Sequence, residues 1–449
     1  MSKREVGFST YVKDFLSNKI GLAGLIILII LLIFTGIALS IPSSVYNSWN
    51  NPAAWSQYPA SVPPAWMSIF YPNKYFTTEQ FSSNNITIHS YSGIYVALVT
   101  FTFNWSKSLP AYNVYFTIST NATPINEVIY WTKPDRSTIT INVPSSYFNL
   151  PFGLTTVSGD ILNYITSVTG KSPSIVNSTV LSAALFNSQK SNLTVTENGL
   201  YIVKIQIFSY KPINVTKASL SLIGNSYGLM GTDYYGRPLD LGVLLGLPNA
   251  LEIGALTSIV AVGVGIIVGG ISGYLGGNKD SIIQWFTLVF LALPALPFLV
   301  AVSFAVQPSL ELEALLIAFL SWPFYAIIAR SMALSIKSNS FVEADKLAGI
   351  PSYRIFFTHF MPRLIPITVA YMALGVPAGI LLAQTLAFLG IAPANIVTWG
   401  GILDSAEAHQ AQVNGWWWWV VFPGAMIVIV AIPFVLIGFA IERVTLGER

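Results

Sequence analysis

The sequence predicts an all-α polytopic membrane protein of six transmembrane helices, with a large extracytoplasmic β-rich, sandwich-like insert between helices 1 and 2. Three observations carry that reading. Only 9% of the 449 residues are charged, against roughly 25% in soluble domains, and the mean hydropathy is +0.62. Six stretches are apolar enough to supply the ~20 residues that cross a bilayer core. One long intervening stretch alternates apolar and polar residues with the period of a strand instead. The chain contains no cysteine, which excludes disulfide frameworks, thiolate metal sites and cysteine nucleophiles.

A polar leader, 1–19, precedes the first span, Ile20–Ile41, which carries no charge. A cleaved signal peptide has an apolar core of about 7–15 residues and a small-residue cleavage site. This stretch is longer and lacks such a site, so a retained helix is expected. The other spans are predicted near Ile253–Leu275, Ser281–Val306, Ala314–Ala329, Leu364–Gly390 and Trp416–Ile441. The Ala314–Ala329 core is short, and Glu313 and Arg330 are expected to snorkel from its ends.

Six spans put both termini on one side, and the positive-inside rule selects the cytoplasm. Lys3, Arg4, Lys13 and Lys19 lie in the leader, Lys279 in the turn after span two, Arg330, Lys337, Lys346, Arg354 and Arg363 between spans four and five, and Arg443 and Arg449 in the tail. The short outer loops near 307–312 and 392–415 have no lysine or arginine but hold acidic residues. The expected location is therefore the plasma membrane, multi-pass, with both termini cytoplasmic and residues 42–228 extracellular.

The insert, 42–228, reads as a folded domain. Runs such as IYVALVTFTFNW (94–105), YNVYFTIST (112–120), STITINV (137–143) and LYIVKIQIFSY (200–210) are rich in β-branched and aromatic residues with period-two alternation, and turn-prone breaks separate them. Residues 160–190 look partly helical, and Gly199–Tyr201 entering a strand is a weak tyrosine-corner signal. Six Asn-X-Ser/Thr acceptors, Asn85, Asn104, Asn121, Asn177, Asn192 and Asn214, all lie here, consistent with an extracellular position and glycosylation. The string TGKS (169–172) is not a phosphate loop: Ile165 stands where such a loop needs glycine.

Between spans four and five the chain reads FVEADKLAGIPSYRIFFTHFMPRLIP (341–366). It predicts a short helix, a glycine break, a second short helix and a proline entering the membrane. Ala344, Leu347 and Ala348 give the first helix an apolar stripe, Glu343 and Asp345 suit its first turn, and Gly349 suits a left-handed cap. Two readings stand on spacing alone: a segment on which a cytosolic partner acts, and an amphipathic connector on the membrane surface.

This segment resembles the EAA loop of ABC-importer permeases, through Glu343, Ala344, Asp345 in place of the third alanine, Gly349, Arg354 within the loop, and the late Pro362. Around it the chain resembles the C-type permease subunit of the dipeptide/oligopeptide (and nickel) importers. GTDYYGR (231–237), YLGG with Asp280, the Leu-Pro step at 293–294, WPFYA with Arg330, TLAFLG (385–390) and the Trp run 416–419 with FPG (422–424) follow in the family's order. The match covers about 229–449, the expected permease core, plus the first span. Asp345 apart, the departures strip charge or polarity from the membrane region: Pro238, Trp285, Leu288 and Gln384 replace residues that are commonly charged in the family.

The resemblance implies a type I ABC-importer permease fold and a non-catalytic subunit. It implies a second, B-type permease chain, two ATP-binding cassette subunits that hold ATP and Mg, an extracytoplasmic solute-binding protein, and alternating access. No cofactor is expected on this chain and no nucleic-acid partner. Peptides are the expected solute and oligosaccharides the alternative. A reading from another class is a membrane-anchored surface receptor or adhesion protein. Gln384, Thr385, Tyr325 and Pro294 are candidates for the solute path, with an interhelical hydrogen bond as the competing role for Gln384. Gly265, Gly269 and Gly273 repeat every four residues, as a helix-packing face does. His89, His359 and His409 are scattered, and no metal site is expected.

Overall fold

The computed structural model describes residues 14–83, 85–306, 309–393 and 395–446. They fall into two compact units. Pro52–Asp240 is one, and the first helix together with the chain from Leu241 onward is the other.

The Pro52–Asp240 unit is built on two antiparallel sheets. One has the order β1 (Glu79–Ser82), β9 (Val215–Ile223), β4 (Asn113–Thr120), β7 (Phe152–Gly153); the other runs β2 (Ile86–Tyr91), β3 (Ile94–Trp105), β8 (Gly199–Ser209), β5 (Asn126–Thr132), β6 (Thr138–Asn142). The period-two reading holds residue by residue. On β3, Ala97, Val99, Phe101, Phe103 and Trp105 are buried, and on β8 so are Tyr201, Val203, Ile205 and Ile207. The register pairs Phe103 with Tyr201, and their rings stack at 5.3 Å. Two helices, Ser158–Thr169 and Ser178–Phe186, fill the expected helical stretch. Gly170 ends the first at φ +71°, so the lysine of TGKS follows a helix terminus rather than opening one. The Tyr201 hydroxyl shares its proton between the carbonyls of Glu197 (2.7 Å) and Phe186 (2.9 Å), the backbone tether of a tyrosine corner.

In the helical unit, α1 is Lys19–Ser40, capped by the Asn18 side chain, which accepts from the Ile20 amide. Next come α2 (Leu239–Leu275), α3 (Gly277–Leu291), α4 (Ala295–Val306), α5 (Leu310–Lys337), α6 (Ser340–Leu347), α7 (Ser352–Phe388), α8 (Trp399–Ala408) and α9 (Trp417–Leu446). Among the described residues, α1, α2, α5, α7 and α9 are each long and apolar enough to cross a membrane.

The stretch expected as a single span over Ser281–Val306 is instead the pair α3 and α4, bent by 74°. Pro294 is the cause: it has no amide to donate and it disfavours helical geometry at Leu293. The first helix matches its expected length, and α2, α5, α7 and α9 exceed theirs. At 37 residues α2 is about 55 Å long at 1.5 Å per residue, and it includes Pro248. Glu313 does not snorkel: it is 2% exposed, and neither carboxylate oxygen has a partner among the described residues.

Small residues set the helix spacing. A Cβ on Gly265 would lie 2.6 Å from the Trp322 carbonyl, and one on Gly273 would lie 2.6 Å from the Arg330 carbonyl; one on Gly269 would overlap the carbonyl of Ala326. All three glycines therefore face the α5 backbone, with spacing that only hydrogen atoms fit.

Candidate functional site

The coupling segment is positioned by two helix ends. Helix α6 ends in two backbone bonds, Gly349 N to Lys346 O and Ile350 N to Asp345 O, both 3.1 Å. This is a Schellman end, with Gly349 at φ +76°. Pro351 then caps α7, whose first turns run through a π segment, Phe356–Phe360, before Pro362 and the apolar span. The expected order of helix, glycine break, second helix and proline is present, and the second helix continues into the span without interruption.

One side of the segment belongs to the helical unit's own core. Val342, Ile355, Phe356, Phe360 and Leu364 are buried with Tyr274 of α2 and Ala333 and Ile336 of α5. The other side is open. Ala344, Leu347 and Ala348 are exposed, Leu347 at 90%, and Tyr353 and Phe357 join them in solvent. The apolar stripe read from the sequence thus faces outward and has no partner within the helical core. Glu343 and Arg354 are exposed on the same segment, and Asp345 is half-buried.

Above this segment three helices are tied by charge. The Arg330 guanidinium donates from Nε and Nη2 to the Asp280 carboxylate at 2.7 and 2.6 Å, and Ser272 donates to the same carboxylate at 2.5 Å. Lys337 donates to the Leu275 carbonyl at 3.1 Å. Arg330, expected to reach for the interface, is instead the partner that lets Asp280 be buried.

A cavity of about 400 Å³ opens between α2, α5 and α7. Its wall includes Thr257, Ser258, Ser321, Tyr325, Tyr371 and Gly375, and no charged side chain is among its lining residues. Ser258 donates to the Met372 carbonyl at 2.6 Å and Thr257 to the Ala314 carbonyl at 3.2 Å. A Cβ on Gly375 would sit 2.8 Å from the Tyr325 hydroxyl, so this glycine holds the space open. Of the four path candidates only Tyr325 lines the cavity. Gln384 is buried and accepts from the Gly400 amide at 2.7 Å, joining α7 to α8. Thr385 returns its hydroxyl to the Leu381 carbonyl, and Pro294 is exposed at the α3–α4 bend. Thr257, Ser258 and Tyr371 were missed, although hydroxyls inside apolar spans are the signal that finds them.

GTDYYGR closes on itself. Asp233 is buried, accepts from the amides of Tyr235 and Arg237 at 2.9 Å, and pairs with the Arg237 guanidinium at 2.5 Å, which accounts for both charges structurally. All six sequon asparagines are exposed. No cluster of three or more metal-ligating side chains occurs among the described residues.

Spanning helices around a neutral cavity, with an outward-facing apolar helix on a glycine hinge, define a multi-pass permease. The family described as binding-protein-dependent transport system inner membrane component matches residues 262–445. The probable D,D-dipeptide transport system permease protein DdpC of Escherichia coli is 30% identical over 260 residues, 56% of this chain and 86% of that one. The oligopeptide transport system permease protein OppC of Haemophilus influenzae is 29% identical over 51% of this chain and 74% of its own. The dipeptide transport system permease protein DppC of Alkalihalophilus pseudofirmus is 31% identical over 46% and 68%. The chain belongs to this family of transport-system permeases. It is a permease subunit, not an enzyme.

Proposed function

We propose that this chain forms half of the translocation path of an ABC importer for peptides, with Tyr325, Thr257, Ser258 and Tyr371 lining that path and residues 341–366 coupling it to ATP hydrolysis. The observation that carries the reading is the exposed stripe Ala344–Leu347–Ala348 on a helix set by the Gly349 cap. An amphipathic connector alone would not need its apolar face presented on a hinge that is anchored, through Val342 and Phe360, to α2 and α5. Two ATP-binding cassette subunits supply ATP and Mg, a B-type permease supplies the other half, and an extracytoplasmic binding protein delivers the solute. Peptides are favoured because the relatives named above are D,D-dipeptide, oligopeptide and dipeptide permeases. A cavity lined by hydroxyl and apolar groups suits a solute recognised mainly by its carrier protein.

In this reading the α3–α4 pair counts as one broken span, giving six, with both termini cytoplasmic. Residues 42–228 form an extracellular domain whose exposed sequons accept glycans. The test is uptake of labelled di- and oligopeptides, beside an oligosaccharide panel, in cells lacking the gene and complemented with wild type or Gly349→Trp. Wild type is expected to restore peptide uptake, and the variant to insert but not transport. Normal uptake by Gly349→Trp contradicts the coupling role, and restoration of oligosaccharide uptake alone contradicts the peptide assignment.

A further inference from the structure

Asp345 stands where the EAA pattern carries alanine, and the structure gives it a partner. His359 Nε2 lies 2.8 Å from Asp345 Oδ2. The two residues belong to different limbs of the coupling segment, Asp345 to α6 and His359 to the π turn of the α7 stem. Asp345 Oδ2 is buried and receives no well-aligned hydrogen bond among the described residues, so the contact draws its strength from charge when the imidazole is protonated. The surrounding packing holds the pair in place. The Phe341 ring lies 5.4 Å from the His359 ring, and the Arg363 guanidinium lies 4.2 Å from the Phe341 centroid. Phe341, on α6, thus lies between His359 and Arg363 of the α7 stem, a second contact between the same two limbs. Between the two limbs the backbone has a hinge at Gly349, where an added Cβ meets nothing within 4 Å. Val342 already packs α6 into the core that holds Phe356 and Phe360 of the stem, and the Asp345–His359 contact adds a polar link between the same limbs.

We propose that Asp345 and His359 are positioning residues that form a strut across the Gly349 hinge, fixing α6 against the α7 stem so that motion of a docked ATPase reaches the span. The inference rests on the coupling reading above and adds a polar brace to the apolar packing that already joins the limbs. An alanine at 345 has no polar side-chain atom with which to brace the hinge.

Because the chain has no cysteine, spin labels at Ser340→Cys, at the start of α6 and off the docking stripe, and at Ile365→Cys, both exposed, report the angle between the limbs in the complete transporter. Asp345→Ala and His359→Phe are each expected to raise the population of a second, displaced inter-label distance about threefold to fivefold, the scale of a partly exposed ion pair. The double variant is expected to be no worse than either single one, because both remove one interaction. The swapped pair Asp345→His with His359→Asp is expected to return the distribution toward wild type, a rescue that loss of packing alone would not give. An unchanged distribution in both single variants, additive effects, or no rescue by the swap overturns the strut. Uptake by Gly349→Trp separates the two ideas: normal transport there removes the coupling reading whatever the strut does. If that variant is dead while the strut variants keep a single distance, only the strut fails.

Discussion

Asp280 and Arg330 show how a charge survives inside an apolar protein. Each is 50 residues from the other in sequence, and each became legible only as a motif element; that they form one bidentate pair with Ser272 is a tertiary fact with no local signal. Removing one partner strands the other. Asp280→Ala is expected to destabilise the helical unit by about 3 kcal/mol, read as a lower midpoint of thermal unfolding in detergent, and Asp280→Ala/Arg330→Ala is expected to recover part of the loss. Glu127 is the converse case. It is fully buried in the Pro52–Asp240 unit, and neither oxygen has a partner among the described residues. Burial pushes its carboxyl up to about 7 from 4.5. Its folded-state value is the raised one, so its stabilising contribution is fully present below about pH 4.5 and is lost as pH rises through about 7. Amide exchange of the β5 and β8 strands in the full-length protein is expected to quicken from pH 5 to pH 8 beyond the intrinsic chemical rate, and Glu127→Gln is expected to flatten that excess.

At the level of elements, periodicity found the strands and the apolar runs because both are local properties of the chain. The alternation of 94–105 became β3 with its buried face intact, and the glycine row at 265, 269 and 273 became the contact with α5. Gly269→Leu is expected to abolish stable assembly of the helical unit, since its side chain has only the Ala326 backbone to enter; recovery of monodisperse protein after extraction measures this. Gly349→Ala meets open space, so only the left-handed backbone penalises it, by about 1–2 kcal/mol, and partial transport is expected to remain. What periodicity could not find was the α3–α4 bend. Hydropathy adds residues along a window and is blind to the direction of the chain, and Pro294 supplied the clue without the angle. Three of the path candidates lie away from the α2–α5–α7 cavity for a related reason. Gln384 is polar in an apolar run, but its hydrogen bond to Gly400 depends on α8, which no window around Gln384 contains. Tyr325 lies on the α5 face toward α2 and α7 and lines the cavity.

For the whole molecule, low charge density identified a membrane protein, and the placement of the remaining charges isolated the segment 341–366. The structure adds that this segment has two sides, one anchored to the helical core and one exposed at Ala344, Leu347 and Ala348. The account stands on that exposed face being a docking surface for an ATPase. The most direct measurement uses the absence of native cysteine: a single Leu347→Cys chain, assembled with its transporter partners in native membranes, treated with a short thiol-reactive crosslinker and resolved by mass. The account expects one dominant adduct, joining position 347 to an ATP-binding cassette subunit and lost in Gly349→Trp. Full labelling of the same cysteine by a bulky water-soluble reagent in the intact, ATPase-containing complex, with no crosslink to that subunit, would contradict it.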